Sequence, residues 1–198
     1  MSYGVMAYSV KPTLWAAIGS GALMGAYAGA EEAAVAIDEL LAGRFDGGPS
    51  PSPVALDLLG DLIHGRPYDQ RAGFAYGYWL KHICEVYGRP LVNNAWMPIR
   101  AAYIKLVEVA LADAGVPERD LSLDAMLFGD APVPLPRIDD FPGIGVISAD
   151  RVPTALRALE AADLAAVTDP DVRESIEELR TWMSTCAARG DDLVCFYH

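Results

Sequence analysis

The sequence predicts an α+β fold: a helix-rich single domain over residues 1–198 with a small mixed or antiparallel sheet joining an N-terminal and a C-terminal strand. Three observations lead there. Residues 3–10 and 193–197 are runs of strand-forming residues without a single charge, as expected of strands covered on both faces. Between them, apolar residues recur at helical spacing over several long stretches. Glycine and proline cut that middle into helices of ordinary length, so strand, helices, strand is the order of parts, and helices backing one small sheet is the economical packing.

In chain order, residues 3–10 form the first strand, and Pro12 sits in the first turn of a short helix. Gly19-Ser20-Gly21 follows. A dinucleotide fingerprint would need a third glycine where Met24 stands and should leave a strand directly, whereas residues 12–18 intervene, so the stretch reads as a loop. Residues 31–41 are a helix with Glu31 and Glu32 in its first turn and Gly43 as its stop. A surface loop over 46–51 leads to a helix capped by Ser52 with Pro53 at its first position.

That helix ends at His64-Gly65-Arg66-Pro67, and the next ends at Tyr87-Gly88-Arg89-Pro90; glycine is expected to turn left-handed at both stops, with proline barring continuation. The second helix is the centre of the fold. Tyr76, Leu80, Ile83 and Tyr87 make one apolar stripe, with Ala72, Ala75, Trp79 and Val86 beside it. Only the arc of Arg71, Phe74, Tyr78, Lys81 and Glu85 reads as wet. Later elements are a helix from near Pro98 to Gly115, a short one within 121–128 and an extended path through Pro132, Pro134 and Pro136. A strand at 144–147, a Ser148-capped helix over 149–162, a helix from Asp169-Pro170-Asp171 to Gly190 and the final strand complete the chain.

Composition narrows the function classes. A formal net charge of −12 repels phosphate backbones and anionic lipid headgroups, so nucleic acid and membrane are not expected partners, whereas a basic protein or a cationic ligand is permitted. Cys84, Cys186 and Cys195 lack framework or Cys-x-x-Cys spacing and suit reduced thiols in a cytoplasm. The N-terminus has no positively charged leader, and the Ala/Gly-rich run at 15–30 falls short of a membrane span. No cofactor motif is found, and His64, His82 and His198 lack metal spacing, so neither a cofactor nor a metal site is assigned.

The best constellation for chemistry is Asp57, Asp61 and His64, at i, i+4 and i+7 of one helix. Carboxylates beside His64 would favour its charged form and equip it for general acid/base work, or the trio could hold a divalent ion; equally, it is the solvated face of an amphipathic helix. Arg66, Tyr68, Asp69 and Arg71 cluster between the two central helices, where they could grip an anion or a partner's acidic side chain, or cap helix ends. His82 lies between Trp79 and Val86 on an apolar face and reads as a core histidine bonded to a carbonyl. Two function classes remain: an acidic protein-binding module such as an immunity- or antitoxin-like inhibitor, and a small-molecule enzyme or binder with an Asp/His-lined pocket.

Several motifs together resemble an uncharacterised family of actinobacterial proteins across nearly the whole chain: Met1-Ser2-Tyr3-Gly4-Val5-Met6-Ala7-Tyr8, Ile63-His64-Gly65-Arg66-Pro67, Asn93-Asn94-Ala95-Trp96, Asp140-Phe141-Pro142-Gly143-Ile144-Gly145 and the closing Leu193-Val194-Cys195-Phe196-Tyr197-His198. More distantly the order of parts is similar to the YfbM-like family, closest at Ser148-Ala149-Asp150-Arg151-Val152 and Ala188-Arg189-Gly190-Asp191-Asp192-Leu193. The resemblance implies an α+β fold and a bacterial cytoplasmic protein, and it carries over no catalytic residue.

Overall fold

The first and last strands are the two interior strands of the sheet. The computed structural model describes residues 3–46, 48 and 51–198. In it β1 (Val5–Val10) and β4 (Asp192–Tyr197) pair antiparallel over six positions, from Val5 opposite Tyr197 to Val10 opposite Asp192. The two ends of the chain therefore meet in one sheet. β3 (Gly143–Ile147) lies along the other edge of β4, and β2 (Arg89–Pro90) adds two residues to β1, giving the antiparallel order β2-β1-β4-β3. Every residue of β4 is buried, as the uncharged run over 193–197 predicts, and Asp192 at its start is buried with them.

The chain divides into two compact units, residues 1–12, 89–131 and 143–198 in the first, 13–88 and 132–142 in the second. In the first, α5 (Ala101–Asp113), α6 (Leu123–Phe128), α7 (Val152–Ala161) and α8 (Pro170–Arg189) accompany the sheet. α8 packs on β1 and β4, with α5 and α7 against it, while α6 lies on β3. The fit of α6 to β3 requires glycine: a Cβ on Gly145 would stand 2.4 Å from the Ala125 and Met126 backbone. α8 starts as the sequence predicts, with the Asp169 carboxylate accepting from the amides of Asp171 and Val172, and it stops at Gly190 in the left-handed region.

In the second unit, α1 (Thr13–Ala17), α2 (Ala30–Phe45), α3 (Ala55–His64) and α4 (Gly73–Tyr87) form a helical cluster, with α2, α3 and a 3-10 turn at Met24–Tyr27 all packed on α4. α4 is its core: Ala75, Tyr76, Trp79, Leu80, Ile83 and Cys84 are fully buried. Trp79 donates its indole N–H to the Ala55 carbonyl at 2.8 Å. His82 is buried with Nε2 at 2.9 Å from the Ala26 carbonyl, the core histidine that helical phase predicts.

Several boundaries depart from expectation, each for a physical reason. α2 runs through Gly43 to Phe45, since one interior glycine costs only about 1 kcal/mol. Ser52 and Pro53 precede α3 without capping it; the Asp38 carboxylate of α2 accepts the Ala55 amide at 2.8 Å instead. Residues 47, 49 and 50, half of the expected 46–51 loop, lie outside the described residues. Phe74 is buried, not wet, because the Arg44 guanidinium covers its ring at 5.0 Å. Gly65 ends α3 left-handed as predicted, but Gly88 is not in that region; the chain continues from it into β2. α7 begins at Val152, three residues later than expected, after a turn closed by the Ser148 carbonyl.

Candidate functional site

The junction of α3 and α4 gathers part of the predicted constellation around one tyrosine. The Tyr76 hydroxyl donates to Asp61 Oδ2 at 2.9 Å and accepts the Asp69 amide at 3.0 Å, while Tyr68 stacks tilted on the Tyr76 ring at 4.8 Å. Arg66 Nε stands 3.4 Å from Asp61 Oδ1, and its guanidinium lies against Gly60, where a Cβ would meet it at 2.1 Å. Arg71 grips Asp69 with two nitrogens, at 3.0 and 2.6 Å, and covers the Phe45 ring. Burial raises the Tyr76 hydroxyl well above the ordinary phenol range, with Asp61 adding to it; Arg71 holds the Asp69 carboxyl below the usual range.

Asp57 and His64 are exposed on the same helix, and neither enters this network. The amides that a phosphate cradle would need are already engaged: Gly19 and Gly21 donate to the Leu62 and Ile63 carbonyls at 2.8 Å. Among the described residues, no group of three His, Cys, Asp or Glu side chains is placed to hold a metal ion.

A second feature escapes sequence reasoning. In the sheet-bearing unit, the turn at Asn94–Trp96, the chain from Met97 to Arg100, the first turns of α5 and those of α8 enclose a cleft of about 500 Å3. Met97, Pro98, Ile99 and Leu106 supply its apolar lining, and Asp171 and Glu174 stand along it from α8. Its walls are fixed from behind. Glu178 accepts the Asn94 and Ala95 amides at 3.0 and 3.1 Å, Trp96 donates to the Ser175 carbonyl, and the Ser175 hydroxyl bonds Tyr103 at 2.8 Å. The lining is drawn from segments some seventy residues apart, so no local motif announces it.

The model of a family described as a domain of unknown function (DUF7691) matches residues 1–198. The chain belongs to that family. No curated protein and no solved structure matches it.

Elsewhere in this DUF7691 chain, the polar groups withdrawn from water serve the fold. Asp191 is sealed, its Oδ2 accepting the Ser9 hydroxyl and Arg189 Nε at 2.7 Å each, with Lys11 Nζ 2.8 Å from Oδ1. Burial alone would raise its carboxyl; the donors of Lys11, Ser9 and Arg189 outweigh burial and hold it low. Cys84, Cys186 and Cys195 are free and buried; burial raises all three thiols, Cys186 to about 12, which keeps them protonated and unsuited to nucleophilic work. No helix among the described residues is long and apolar enough to cross a membrane.

Proposed function

We propose that this protein is an acidic protein-binding module, an immunity- or antitoxin-like inhibitor that covers a basic partner. The observation that carries the reading is where the charge lies. At least eight of the fifteen lysines and arginines stand in ion pairs with the chain's own carboxylates. With 27 acids in all, many carboxylates are left without an internal cation, and a complementary cationic surface would associate quickly and lose its advantage as salt is added. Tagged protein incubated with native lysate of its source organism should capture a stoichiometric basic partner at low salt and release it at high salt. Recovery of no such partner at low salt would sink the reading.

The rest of the proposal is context. An actinobacterial setting is supported by the motifs at residues 1–8, 63–67, 93–96, 140–145 and 193–198, a cytoplasmic one by the three thiols, and a distant kinship to the YfbM-like family by the Ser148–Val152 and Ala188–Leu193 motifs. The net charge of −12 argues against a nucleic-acid partner. One folding domain over 1–198 is supported by the chain's four passages between its two units.

A second reading, a small-molecule binder or enzyme, is favoured by the convergence of Asp61, Tyr68 and Asp69 on Tyr76, with Arg66 beside Asp61. In it Asp57 and His64 act at the rim and Arg66 meets an anion. Perturbation of the His64 imidazole resonances by millimolar phosphate or acetate, lost in Arg66→Ala, would support it; unmoved resonances would remove it.

A further inference from the structure

Resting on the protein-binding reading, we propose that the cleft between the Asn94–Arg100 segment, α5 and α8 is the docking groove, and that it takes a partner segment offering a lysine or arginine beside an apolar side chain.

The lining dictates that occupant. Met97 and Leu106 are about half exposed, 49% and 58%, while Ile99 is buried, so an apolar surface is held open to solvent instead of being folded away. Asp171 and Glu174 run along its α8 side one turn apart, and among the described residues no ion pair engages either carboxylate. A long aliphatic stem ending in a cation matches this arrangement: the methylenes lie on Met97, Pro98 and Leu106 and the charged head meets the two acids. The local field agrees. Burial most of all raises the Tyr103 hydroxyl; its bond to Ser175 opposes this, and Asp171, Asp169 and Glu174 add to the rise, so three carboxylates act on this wall, which Arg100 also lines.

Size and rigidity fit as well. About 500 Å3 lies in the range of clefts that hold a drug-sized group, enough for two or three side chains of a peptide. The Glu178 and Ser175 bonds behind Asn94, Ala95 and Tyr103 form the wall before anything binds, so little ordering is left to the partner.

The test is a titration of isotope-labelled full-length protein with a synthetic octapeptide of alternating lysine and leucine, at low ionic strength, followed by amide chemical shifts. Shifts should concentrate at Met97, Ala102, Leu106 and Glu174. The double variant Asp171→Asn/Glu174→Gln should weaken binding about tenfold, two exposed charge pairs at a few-fold each. Leu106→Ser should weaken it with the charges intact, and the glutamate–leucine octapeptide should not bind. Shifts scattered over the acidic surface, or affinity within twofold in both variants, overturn the groove. A basic partner captured from lysate that binds the double variant like wild type would remove the groove and leave the module reading standing. Failure to capture any partner removes the module reading, and the peptide titration still decides the groove.

Discussion

Asp191 and Asp61 each draw donors together, but only Asp191 is cut off from water. Its side chain is fully buried and receives Ser9, Arg189 and Lys11, whereas Asp61 is 17% exposed and shares only Tyr76 and Arg66. Sealing changes what the same functional group contributes. A sealed carboxylate has given up hydration and depends on every donor around it. A rim carboxylate keeps water as an alternative partner, so its bonds position neighbours more than they stabilise the fold.

That comparison holds only if both acids stand on firm scaffolds, and the largest expected effects test this. Asp191 is followed directly by β4, a strand with a neighbour on each side. Deleting residues 194–198 removes those partners from β1 and β3 and leaves their amides and carbonyls unpaired. The product should be insoluble or unfolded; a soluble truncate with wild-type circular dichroism and a cooperative melt would show that the sheet is dispensable. Asp61 relies on α4 through Tyr76, and α4 is anchored by Trp79. Trp79→Ala should cost about 3–5 kcal/mol, a large part of a typical domain's ~5–15 kcal/mol. Lys81→Ala, which loses an i,i+4 pair with Glu85 and the packing of a side chain 16% exposed, should cost about 1 kcal/mol, well below Trp79→Ala. A Trp79→Ala protein melting within a degree or two of wild type would displace α4 from its core role.

The next effect isolates the sealed acid. Asp191→Asn leaves one oxygen for Ser9 and Arg189 and turns an amide N–H₂ toward the Lys11 ammonium, setting donor against donor. Lys11 and Arg189 are 56% and 40% exposed and can recover hydration, which holds the loss to roughly 2–3 kcal/mol, below that of a fully buried pair. The folded carboxyl sits below its ordinary value, so its stabilisation is present above about pH 4 and is lost as pH falls through the folded pKa. Urea melts should separate the variant from wild type at pH 7 and draw them together toward pH 3. A gap that is constant with pH would mean the charge of Asp191 is not what stabilises the fold.

How legible each region was follows from the range of its interactions. β1 and β4 announce themselves through uncharged runs at 5–10 and 193–197, although β4 also takes in the buried Asp192, and α8 because Asp169-Pro170 and Gly190 bracket it locally. The cap of α3 was misread because its acceptor, Asp38, is seventeen residues away. Phe74 was misread because its cover, Arg44, belongs to another helix. β2 was hidden inside what resembled a helix stop, and its two residues leave no periodicity to detect. At the junction, helical phase placed Asp57, Asp61 and His64 on one helix but could not tell that Tyr76, from α4, would engage Asp61 alone. The cleft was invisible in the sequence because it exists only once α8 lies beside the chain after Asn94.

The smallest expected effect makes the comparison sharpest, since it repeats the isosteric change at the rim. In Asp61→Asn the amide oxygen can still accept the Tyr76 hydroxyl, and Tyr76 can still accept the Asp69 amide, so the buried phenol keeps both bonds. What is lost is attraction to Arg66 at 3.4 Å, and that guanidinium is half exposed. The cost should be about 0.5 kcal/mol or less, several times smaller than at Asp191. Asp61→Ala differs, because the Tyr76 hydroxyl then loses its acceptor at a partly sealed position, and about 1–2 kcal/mol should go. Urea melts of the two variants therefore distinguish the hydrogen bond from the charge. If Asp61→Asn costs as much as Asp61→Ala, the carboxylate's charge is what the junction needs, and Arg66 is its structural counter-ion and not a side chain free to meet an anion.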